Sequence, residues 1–255
     1  MKISLITVTF NSAKTLADTM ESVLRQDYDD YEYLVIDGGS KDETQDIIKK
    51  FEPRFCGRMR WISEPDKGMY DGINKGIRMA TGDVVGIINS DDFYHRQDIF
   101  RIVNDSFAQH PEIQAIYGDV RFVHPDDLEK TVRYYSSARF KPSRFRWGWM
   151  PAHPSFFTYK ENFEKYGYYK LDYYIAADYE LLIRFLYTNR LPSMYLPVDF
   201  MKMRTGGRST QGIKARITLN REIVRACKEN GIYTNMPMLF TKYFEKFLEL
   251  VKTKN

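Results

Sequence analysis

Cysteine is scarce in this chain, since Cys56 and Cys227 are the only two among its 255 residues. Two cysteines without a C-x-x-C spacing give neither a disulfide framework nor a zinc site. Such cysteines are typical of reduced thiols in a reducing compartment. The sequence therefore predicts a cytoplasmic location.

Long apolar runs are missing as well. No stretch approaches the ~20 apolar residues that a membrane-spanning helix needs. The apolar run at the N-terminus stops at Asn11 and lacks a small-residue cleavage site, so we interpret it as a first β-strand and not as a signal peptide. We expect a soluble or peripheral protein.

Neither sign of charge is in large excess. The formal net charge is +4, which gives no argument for nucleic-acid binding. Hydrophobic residues at 43% and charged residues at 28% are ordinary globular values. Internal repeats and linkers are absent, so we expect one domain. Aromatic residues are abundant at 15%, and they suit a core and a ligand platform equally well.

The first 123 residues alternate between strand and helix patterns. Strands are predicted over Ile3–Phe10, Tyr31–Asp37, Met59–Glu64, Asp83–Asn89 and Ile113–Val123. Helices are predicted over Ser12–Gln26, Asp42–Phe51, Met69–Ala80 and Arg96–His110. The pattern Ser40–Glu43 indicates a capping box for the second helix. This alternation predicts an α/β fold whose mostly parallel sheet is covered on both faces.

Polar clusters follow four of these strands: Asn11, Asp37-Gly-Gly, Glu64-Pro-Asp66 and Asn89-Ser-Asp-Asp92. Ligands of parallel sheets bind beyond the carboxyl ends of the strands. We therefore expect the four clusters to line one crevice.

Beyond residue 124 the alternation ends. A helix is predicted over Ala177–Thr188, an extended segment over Ser193–Met203 and an amphipathic helix over Met238–Lys252. The last helix combines several phenylalanines with an excess of lysine over acid. It can lie in a membrane interface or pack on the domain, and the sequence leaves both interpretations open.

The adjacent carboxylates of Asp91 and Asp92 indicate a cation site. Carboxylates at a strand end repel each other unless a cation or hydrogen-bond donors compensate them. Mg²⁺ or Mn²⁺ completed by diphosphate oxygens would do so. The alternative is that one of the two aspartates begins the following helix as its N-cap.

Two further segments suit a ligand. The carboxylate of Asp37 can accept hydrogen bonds from a nucleobase or a ribose, although a tight strand-to-helix turn explains the same residues. The predicted helix after Asp66 contains Gly72 and Gly76, which lower helix propensity by up to ~1 kcal/mol each. Such a helix is tolerated where small side chains permit close packing or ligand approach.

The order of the segments TVTFN, VIDGGSKDET, EPDKGMYDGINKGIRMATGD and INSDD resembles the family 2 glycosyltransferases. These are inverting enzymes with the glycosyltransferase A fold. The later segments MPAHPSFF, AADYELLIR and GGRS are similar to those of bacterial members that build O-antigen, capsule or related surface polysaccharides. The resemblance spans most of residues 1–210.

The resemblance implies a Rossmann-like, mostly parallel central sheet flanked by helices, with an elaborated C-terminal half. It implies a catalytic domain at residues 1–215, divided into a nucleotide-sugar-binding half (1–123) and an acceptor-binding half (124–215). A C-terminal helical extension would occupy residues 216–255.

The resemblance also implies individual roles. Asp37 resembles the aspartate that recognises the nucleobase, and Asp91 matches the metal-binding aspartate, with Asp92 beside it. Asn89 stands where the family usually has the first acid, and its amide can bond a ribose or a metal-bound water. The predicted donor-binding residues are Thr9, Asn11, Asp37, Asp66, Gly68, Asn74, Asn89, Asp91, His153 and Arg208. Arg204 and Arg208 are candidate cations beside the phosphates.

Asp178 matches the general base of the family, although an alanine, Ala177, precedes it where an acid is usual. Without the resemblance, an aspartate at a helix start is more simply a cap. We expect Tyr173, Tyr174 and Tyr179 to form the walls of an acceptor site around it.

The implied reaction transfers a sugar from a nucleotide-diphosphate donor, with UDP-sugars favoured, to a hydroxyl of a glycan or lipid-linked glycan. A nucleotidyltransferase is an alternative, but the segment TVTFNSAKT lacks the Gly- and Lys-rich phosphate loop expected of one. A non-catalytic nucleotide-sugar-binding module is the second alternative. The presence of both Asp91 and Asp178 argues against it.

Overall fold

The computed structural model describes residues 1–206 and 212–240. Within them, nine strands form one sheet. The strands are β1 (Ile3–Thr9), β2 (Tyr31–Asp37), β3 (Met59–Ser63), β4 (Val84–Ile87), β5 (Asp92–Phe93), β6 (Ala115–His124), β7 (Asp127–Tyr135), β8 (Phe157–Tyr159) and β9 (Ser193–Arg204). Their order across the sheet is β3-β2-β1-β4-β8-β6-β9-β5, with β7 paired to β6.

The described helices lie between these strands and after them. They are α1 (Leu16–Leu24), α2 (Thr44–Phe51), α3 (Met69–Met79), α4 (Ile99–Gln109), α5 (Lys160–Tyr166), α6 (Ala177–Ile183) and α7 (Gly212–Glu229). The chain continues from α6 as a π-helix, Arg184–Thr188. Short 3₁₀ turns cover Glu52–Phe55, Pro142–Trp147 and His153–Ser155.

The predicted α/β architecture is confirmed. Strands β3, β2, β1 and β4 are parallel neighbours, and β9 pairs in parallel with β6. Strand β8 runs antiparallel between β4 and β6. The extended segment predicted over Ser193–Met203 is β9.

The sheet is covered on both faces. Along β2, Tyr33 and Val35 belong to one apolar core and Leu34 and Ile36 to the other, as the alternation of side chains on a strand requires. Helices α1, α2 and α4 cover the first face, while α3, α5, α6 and α7 cover the second.

The glycines of α3 allow it to lie close to β1. A Cβ atom on Gly72 would stand 2.6 Å from Cγ1 of Val8, and one on Gly76 would stand 2.5 Å from Cγ2 of Ile6. Any larger residue at either position would push α3 away from the sheet. Close packing therefore explains the low helix propensity of this segment.

Two predictions of helix starts are wrong. Helix α2 begins at Thr44 with Glu43 at its N-cap position, so Ser40 lies outside the helix; its hydroxyl accepts from the N–H of Asn11 and donates to the carboxylate of Asp37. Asp92 begins strand β5, which pairs with β9, whereas α4 begins only at Ile99. The N-cap alternative for Asp91 and Asp92 is thereby excluded.

The C-terminal predictions fall partly outside the described residues. Of the helix predicted over Met238–Lys252, only residues 238–240 are described, and these are helical. The predicted domain boundary at residue 215 lies in the first turn of α7. Among the described helices, none has the length and apolar character needed to cross a membrane.

A buried carboxylate links the parallel strands near their amino ends. Glu32 on β2 is 5% exposed and accepts hydrogen bonds from the Ser4 hydroxyl (2.6 Å), the Thr81 N–H (2.5 Å) and the Arg60 guanidinium (2.7 Å). Burial raises the pKa of Glu32, but these hydrogen bonds outweigh it and lower the pKa from 4.5 to about 2.

We predict that Glu32→Gln destabilises the fold at neutral pH and much less in acid. The lowered pKa means that Glu32 contributes stability above pH 4.5, and that this contribution is lost as the pH falls towards 2. The shift corresponds to about 3 kcal/mol at pH 7. Urea unfolding at pH 7 and pH 3 measures the difference, with the exposed Glu161→Gln as control. An equal loss of unfolding free energy at both pH values would contradict the prediction.

Candidate active site

Hydrogen bonds join the loops that follow the parallel strands. The Gly38 N–H donates to the carbonyl of Thr9 (2.9 Å), and the Asn11 N–H donates to the hydroxyl of Ser40 (2.8 Å). Asn11 has a φ of 51°, a left-handed conformation that asparagine tolerates well. The predicted convergence of these loops at one edge of the sheet is confirmed.

A second contact brings in the loop after β4. The hydroxyls of Ser12 and Ser90 lie 2.9 Å apart, so the loops that follow β1 and β4 are bonded to each other. The N–H of Glu64, which follows β3, donates to the carbonyl of Asp37 (3.0 Å). All four loops therefore lie together at the carboxyl edge of the parallel strands, which is the position of the predicted crevice.

Asp37 lies at the base of the crevice and is fully buried. Its carboxylate accepts hydrogen bonds from the Ser40 N–H (3.0 Å), the Ser40 hydroxyl and the Ser63 hydroxyl (2.6 Å). A carboxylate accepts about four hydrogen bonds, so one position remains for a ligand.

Thr9 ends the neighbouring strand β1. Its hydroxyl is buried, and among the described residues it has no hydrogen-bond partner. Such an unsatisfied group is rare inside a protein, because leaving it unpaired costs about 1–3 kcal/mol. A polar ligand in the crevice would satisfy it.

Asp66 lies where the crevice meets α3. Its Oδ1 accepts from the N–H of Gly68 (2.9 Å), the residue that precedes α3 and has a φ of 116°. A Cβ atom on Gly38 would stand only 2.6 Å from Oδ2 of Asp66. The glycine at position 38 therefore lets this carboxylate lie against the backbone of the crevice.

Asn74 has a different position from the other predicted donor-binding residues. It is 2% exposed; its side-chain amide donates to the carbonyl of Tyr169 (2.8 Å) and accepts from the N–H of Tyr169 (3.0 Å). Asn74 thus joins α3 to the loop after α5. Direct contact with a donor would require these two hydrogen bonds to break.

Asp91 and Asp92 form a pair of neighbouring carboxylates with little compensation. Burial raises the pKa of both, and the charge of Asp91 raises that of Asp92 further. Asp92 is 1% exposed and accepts a hydrogen bond from the amide of Asn89 (2.8 Å). Asp91 is the less buried of the two and is therefore more available to a ligand.

Arg204, at the end of β9, is the cation nearest to this pair. It donates to the backbone carbonyl of Asp91 (2.5 Å) and to the carboxylate of Asp18, and it lies over the ring of Phe93. Its charge lowers the pKa of both aspartates, although burial outweighs this effect. Arg208, the other predicted cation, lies outside the described residues.

Asp178 occupies the second position of α6, and its carboxylate faces His153. Oδ2 of Asp178 lies 3.3 Å from Nδ1 of His153. The side chain of Asp178 is 14% exposed and that of His153 is 38% exposed. Ala176 occupies the N-cap position, and Oδ1 of Asp178 accepts from the N–H of Tyr179 (2.7 Å) in the first turn, which leaves Oδ2 facing His153.

A cavity of about 10 Å³, room for about one water molecule, lies beside this pair. It is lined by Val85, Ile87, His153, Phe156, Phe163, Tyr169, Asp178 and Leu182. The ring of Tyr169 stacks on that of Tyr70 at 5.7 Å between centroids. Burial first, and then the charge of Asp178, raises the pKa of both tyrosines, so their hydroxyls remain protonated.

The predicted aromatic walls are wrong. Tyr173 is buried against α7, Tyr174 is 83% exposed, and the buried Tyr179 hydroxyl donates to the carbonyl of Phe145. Their numbers place them near Asp178 in the chain, but a helix start turns neighbouring side chains in different directions. Phe156, Phe163 and Tyr169 line the cavity instead, and the only sequence signal for them is the high aromatic content.

Comparison with known proteins identifies the family of the chain. The model for "Glycosyl transferase family 2" matches residues 4–167. A PGL/p-HBAD biosynthesis glycosyltransferase from Mycobacterium bovis is 29% identical over 76% of this chain and 73% of its own length. Glycosyltransferase Rv1514c from Mycobacterium tuberculosis is 33% identical over 71% and 68%. The chain therefore belongs to glycosyl transferase family 2.

Solved structures share the fold. Mannosyltransferase PcManGT from Pyrobaculum calidifontis, in complex with GDP-Man and Mn²⁺, has a TM-score of 0.67 at 19% identity, over 92% of this chain and 66% of that one. S. aureus TarS 1-349 in complex with UDP has a TM-score of 0.65 at 17% identity, over 91% and 67%. The chain spans 41% of the longer TarS structure. The fold is the glycosyltransferase A fold.

Proposed function

We propose that this protein transfers a hexose from a nucleoside-diphosphate sugar, with UDP-sugars favoured, to a hydroxyl of a glycan or lipid-linked glycan. The observation that carries the proposal is the convergence of the loops that follow β1, β2, β3 and β4 at one edge of the sheet. Asp178 lines a cavity together with Ile87, the last residue of β4. The similar structures bind UDP, UDP-GlcNAc or GDP-Man, which supports a donor of this class.

In this proposal the crevice binds the nucleotide. Asp37 uses its remaining acceptor position for a base N–H, and the unpaired Thr9 hydroxyl gains a partner from the same nucleoside. Asn11, Asp66 and Gly68 form the adjacent walls. Nearer the phosphates, Asn89 and His153 complete the donor site.

The residues around Asp91 fit a divalent cation, Mg²⁺ or Mn²⁺. Asp91 and Asp92 are neighbouring carboxylates with raised pKa values, and the positive charge of Arg204 alone does not balance their negative charges. Carboxylate oxygens are the ligands that Mg²⁺ and Mn²⁺ prefer. Asp91 would coordinate the ion, and Asp92 is its more buried neighbour. No group of three His, Cys, Asp or Glu suitable for a metal exists among the described residues, so diphosphate oxygens would complete the coordination. The bound ion would supply positive charge to the departing diphosphate.

Asp178 acts as the general base in this proposal. Its carboxylate accepts the proton of the acceptor hydroxyl, whose oxygen attacks the anomeric carbon from the side opposite the diphosphate. The bond to the diphosphate breaks as the new bond forms, and the configuration inverts. Tyr169 and His153 line the place where this hydroxyl would lie.

The relatives suggest the biological setting. The relative from Mycobacterium bovis is named for PGL/p-HBAD biosynthesis, and we extend this to the proposal that the present chain acts in the synthesis of a bacterial surface polysaccharide, such as O-antigen or capsule. A cytoplasmic location follows for an enzyme that uses nucleotide sugars as donors.

A peripheral membrane contact would suit a lipid-linked acceptor. Arg139, Lys141 and Arg146 are exposed beside the exposed ring of Trp147. The Thr234 hydroxyl donates to the carbonyl of Arg146 (2.5 Å), so the segment that leads to the predicted C-terminal helix lies at this surface. Basic and aromatic side chains together favour an anionic interface.

We predict that nucleotide release from UDP-GlcNAc or GDP-mannose requires Mg²⁺ or Mn²⁺ and falls ~10²-fold or more in Asp91→Asn. The amide removes the charge that holds the ion. Rates are measured with Mn²⁺, with Mg²⁺ and in excess EDTA, and the exposed Asp126→Asn is the control. Full activity in EDTA would exclude the metal role. Failure of UDP- and GDP-sugars alike to react would overturn the proposed function.

We predict that Asp178→Asn slows the same reaction by ~10²-fold or more, because the amide keeps the shape but cannot accept the proton. Nucleotide affinity, measured by calorimetry with UDP and with GDP, changes little, as does the melting temperature. A near-normal rate would refute the base assignment. Loss of nucleotide affinity would place Asp178 in the donor site instead.

We predict that the protein co-sediments with phosphatidylglycerol vesicles more than with phosphatidylcholine vesicles. The double variant Lys141→Glu with Arg146→Glu reverses two charges at the proposed surface and reduces binding. The control reverses Lys50 and Lys130, which are exposed elsewhere. If the protein does not bind phosphatidylglycerol vesicles, or if the control pair weakens binding equally, the membrane contact is contradicted. The C-terminal helix is then interpreted as packing on the domain.

A further inference from the structure

Helix α7 carries three charged side chains that contact the loop leading into α6. These residues are Glu222, Arg225 and Glu229, with spacings of three and four, which places them on one face of the helix. The neighbouring face, with Ile223, Ala226 and Cys227, is buried in the apolar core. We call the three charged residues the α7 clamp. All of α7 lies beyond the residues that the family model matches.

Glu222 holds the loop that leads into the helix that carries Asp178. Its carboxylate accepts hydrogen bonds from the N–H groups of Tyr174 (2.7 Å), Ile175 (2.9 Å) and Ala176 (2.8 Å). Ala176 occupies the N-cap position of α6, so these three groups precede its first turn. Within that turn, Oδ1 of Asp178 accepts from the N–H of Tyr179 (2.7 Å). Glu222 therefore fixes, from another helix, the backbone from which α6 and Asp178 start.

Arg225 and Glu229 hold the preceding part of the loop. Arg225 donates to the carbonyl of Asp172 (2.9 Å), pairs with its carboxylate, and lies over the ring of Tyr173 at 4.3 Å. Glu229 accepts from Lys170 (2.9 Å) and from the Tyr173 hydroxyl (2.9 Å). Residues 170 to 176 are thus bonded to one face of α7.

A buried ion pair between α6 and its neighbours also holds this loop. Glu180 is fully buried and pairs with Arg184 (2.8 Å) and with Lys170 (3.0 Å). The Arg184 guanidinium also donates to the carbonyls of Gly167 (2.6 Å) and Tyr168 (2.8 Å). With both sides of the loop fixed, Tyr169 and Asp178 have one relative position at the cavity.

We infer that α7 is a positioning element for the reaction and that Glu222 is a positioning residue, which fixes Asp178 by holding residues 174–176 at the start of α6. The inference rests on the proposed role of Asp178 as the base. Without the carboxylate of Glu222, the loop at residues 174–176 opens more often, and the carboxylate of Asp178 leaves its place opposite His153. A displacement of about 1 Å in a reacting group can cost ~10²-fold in rate. The bonds of the clamp run to residues 170–176, away from Thr9, Asp37 and Asp91 in the chain, so we expect nucleotide affinity not to depend on it.

The test neutralises Glu222 and compares it with a neighbour on the exposed side of the same helix. Glu222→Gln is expected to lower the rate of nucleotide release ~10- to 100-fold, with no change in the affinity for UDP or GDP. Hydrogen exchange of the amides at residues 174–176 should become faster in the same variant, since they lose their charged acceptor. Lys228→Gln, an exposed neutralisation, should change neither quantity. The donor is whichever of UDP-GlcNAc and GDP-mannose the unaltered protein turns over.

The outcomes separate this inference from the proposed function. If Asp178→Asn is slow while Glu222→Gln reacts at a near-normal rate, the positioning role is overturned and the base assignment stands. If Asp178→Asn itself reacts normally, the base assignment fails. Unchanged hydrogen exchange in Glu222→Gln also overturns the inference, because the carboxylate of Glu222 would then have no effect on the loop at residues 174–176. Should Glu222→Gln not fold, Glu222→Asp, which withdraws the carboxylate by one methylene group, is judged by the same two measurements.

Discussion

The parallel pairing of β1 with β2 on one side and β4 on the other determines where everything else in the site can lie. Parallel strands end at the same edge, so the loops after Thr9, Asp37 and Ile87 must meet there. Bonds between Asn11 and Ser40 and between Ser12 and Ser90 then join these loops directly. The close approach of α3 to β1, which Gly72 and Gly76 permit, brings Asp66 to the same edge.

Charge at this edge is unevenly compensated. Asp37 receives three hydrogen bonds from its own surroundings, whereas Asp91 and Asp92 share little more than Arg204 and the amide of Asn89. Asp37 therefore retains about one acceptor position, whereas Asp91 and Asp92 lack compensating charge. This difference favours Asp91 over Asp37 for the proposed cation.

The acceptor side depends on contacts between distant parts of the chain. The loop that leads to Asp178 is bonded to α7, some forty residues later, and to Asn74, about a hundred residues earlier. Asn74 lies within the family match, whereas Asp178 and α7 lie beyond its end at residue 167. A reaction that needs a base at a fixed distance would depend on all of them.

The sequence by itself determined the α/β class, the parallel order of the first half and the crevice, because strand and helix periodicity and the edge rule for parallel sheets are local or topological properties. It also singled out Asp178 through the resemblance to the family. Only the tertiary structure decided that Ser40 bonds Asp37 and Asn11 outside α2, that Asn74 holds Tyr169, that Phe156 and Phe163 line the cavity in place of Tyr173 and Tyr174, and that Glu222 holds the loop before α6. In each case a side chain could contact several partners. The packing of the helices on the sheet decides which partner comes close enough, within about 3 Å for a hydrogen bond.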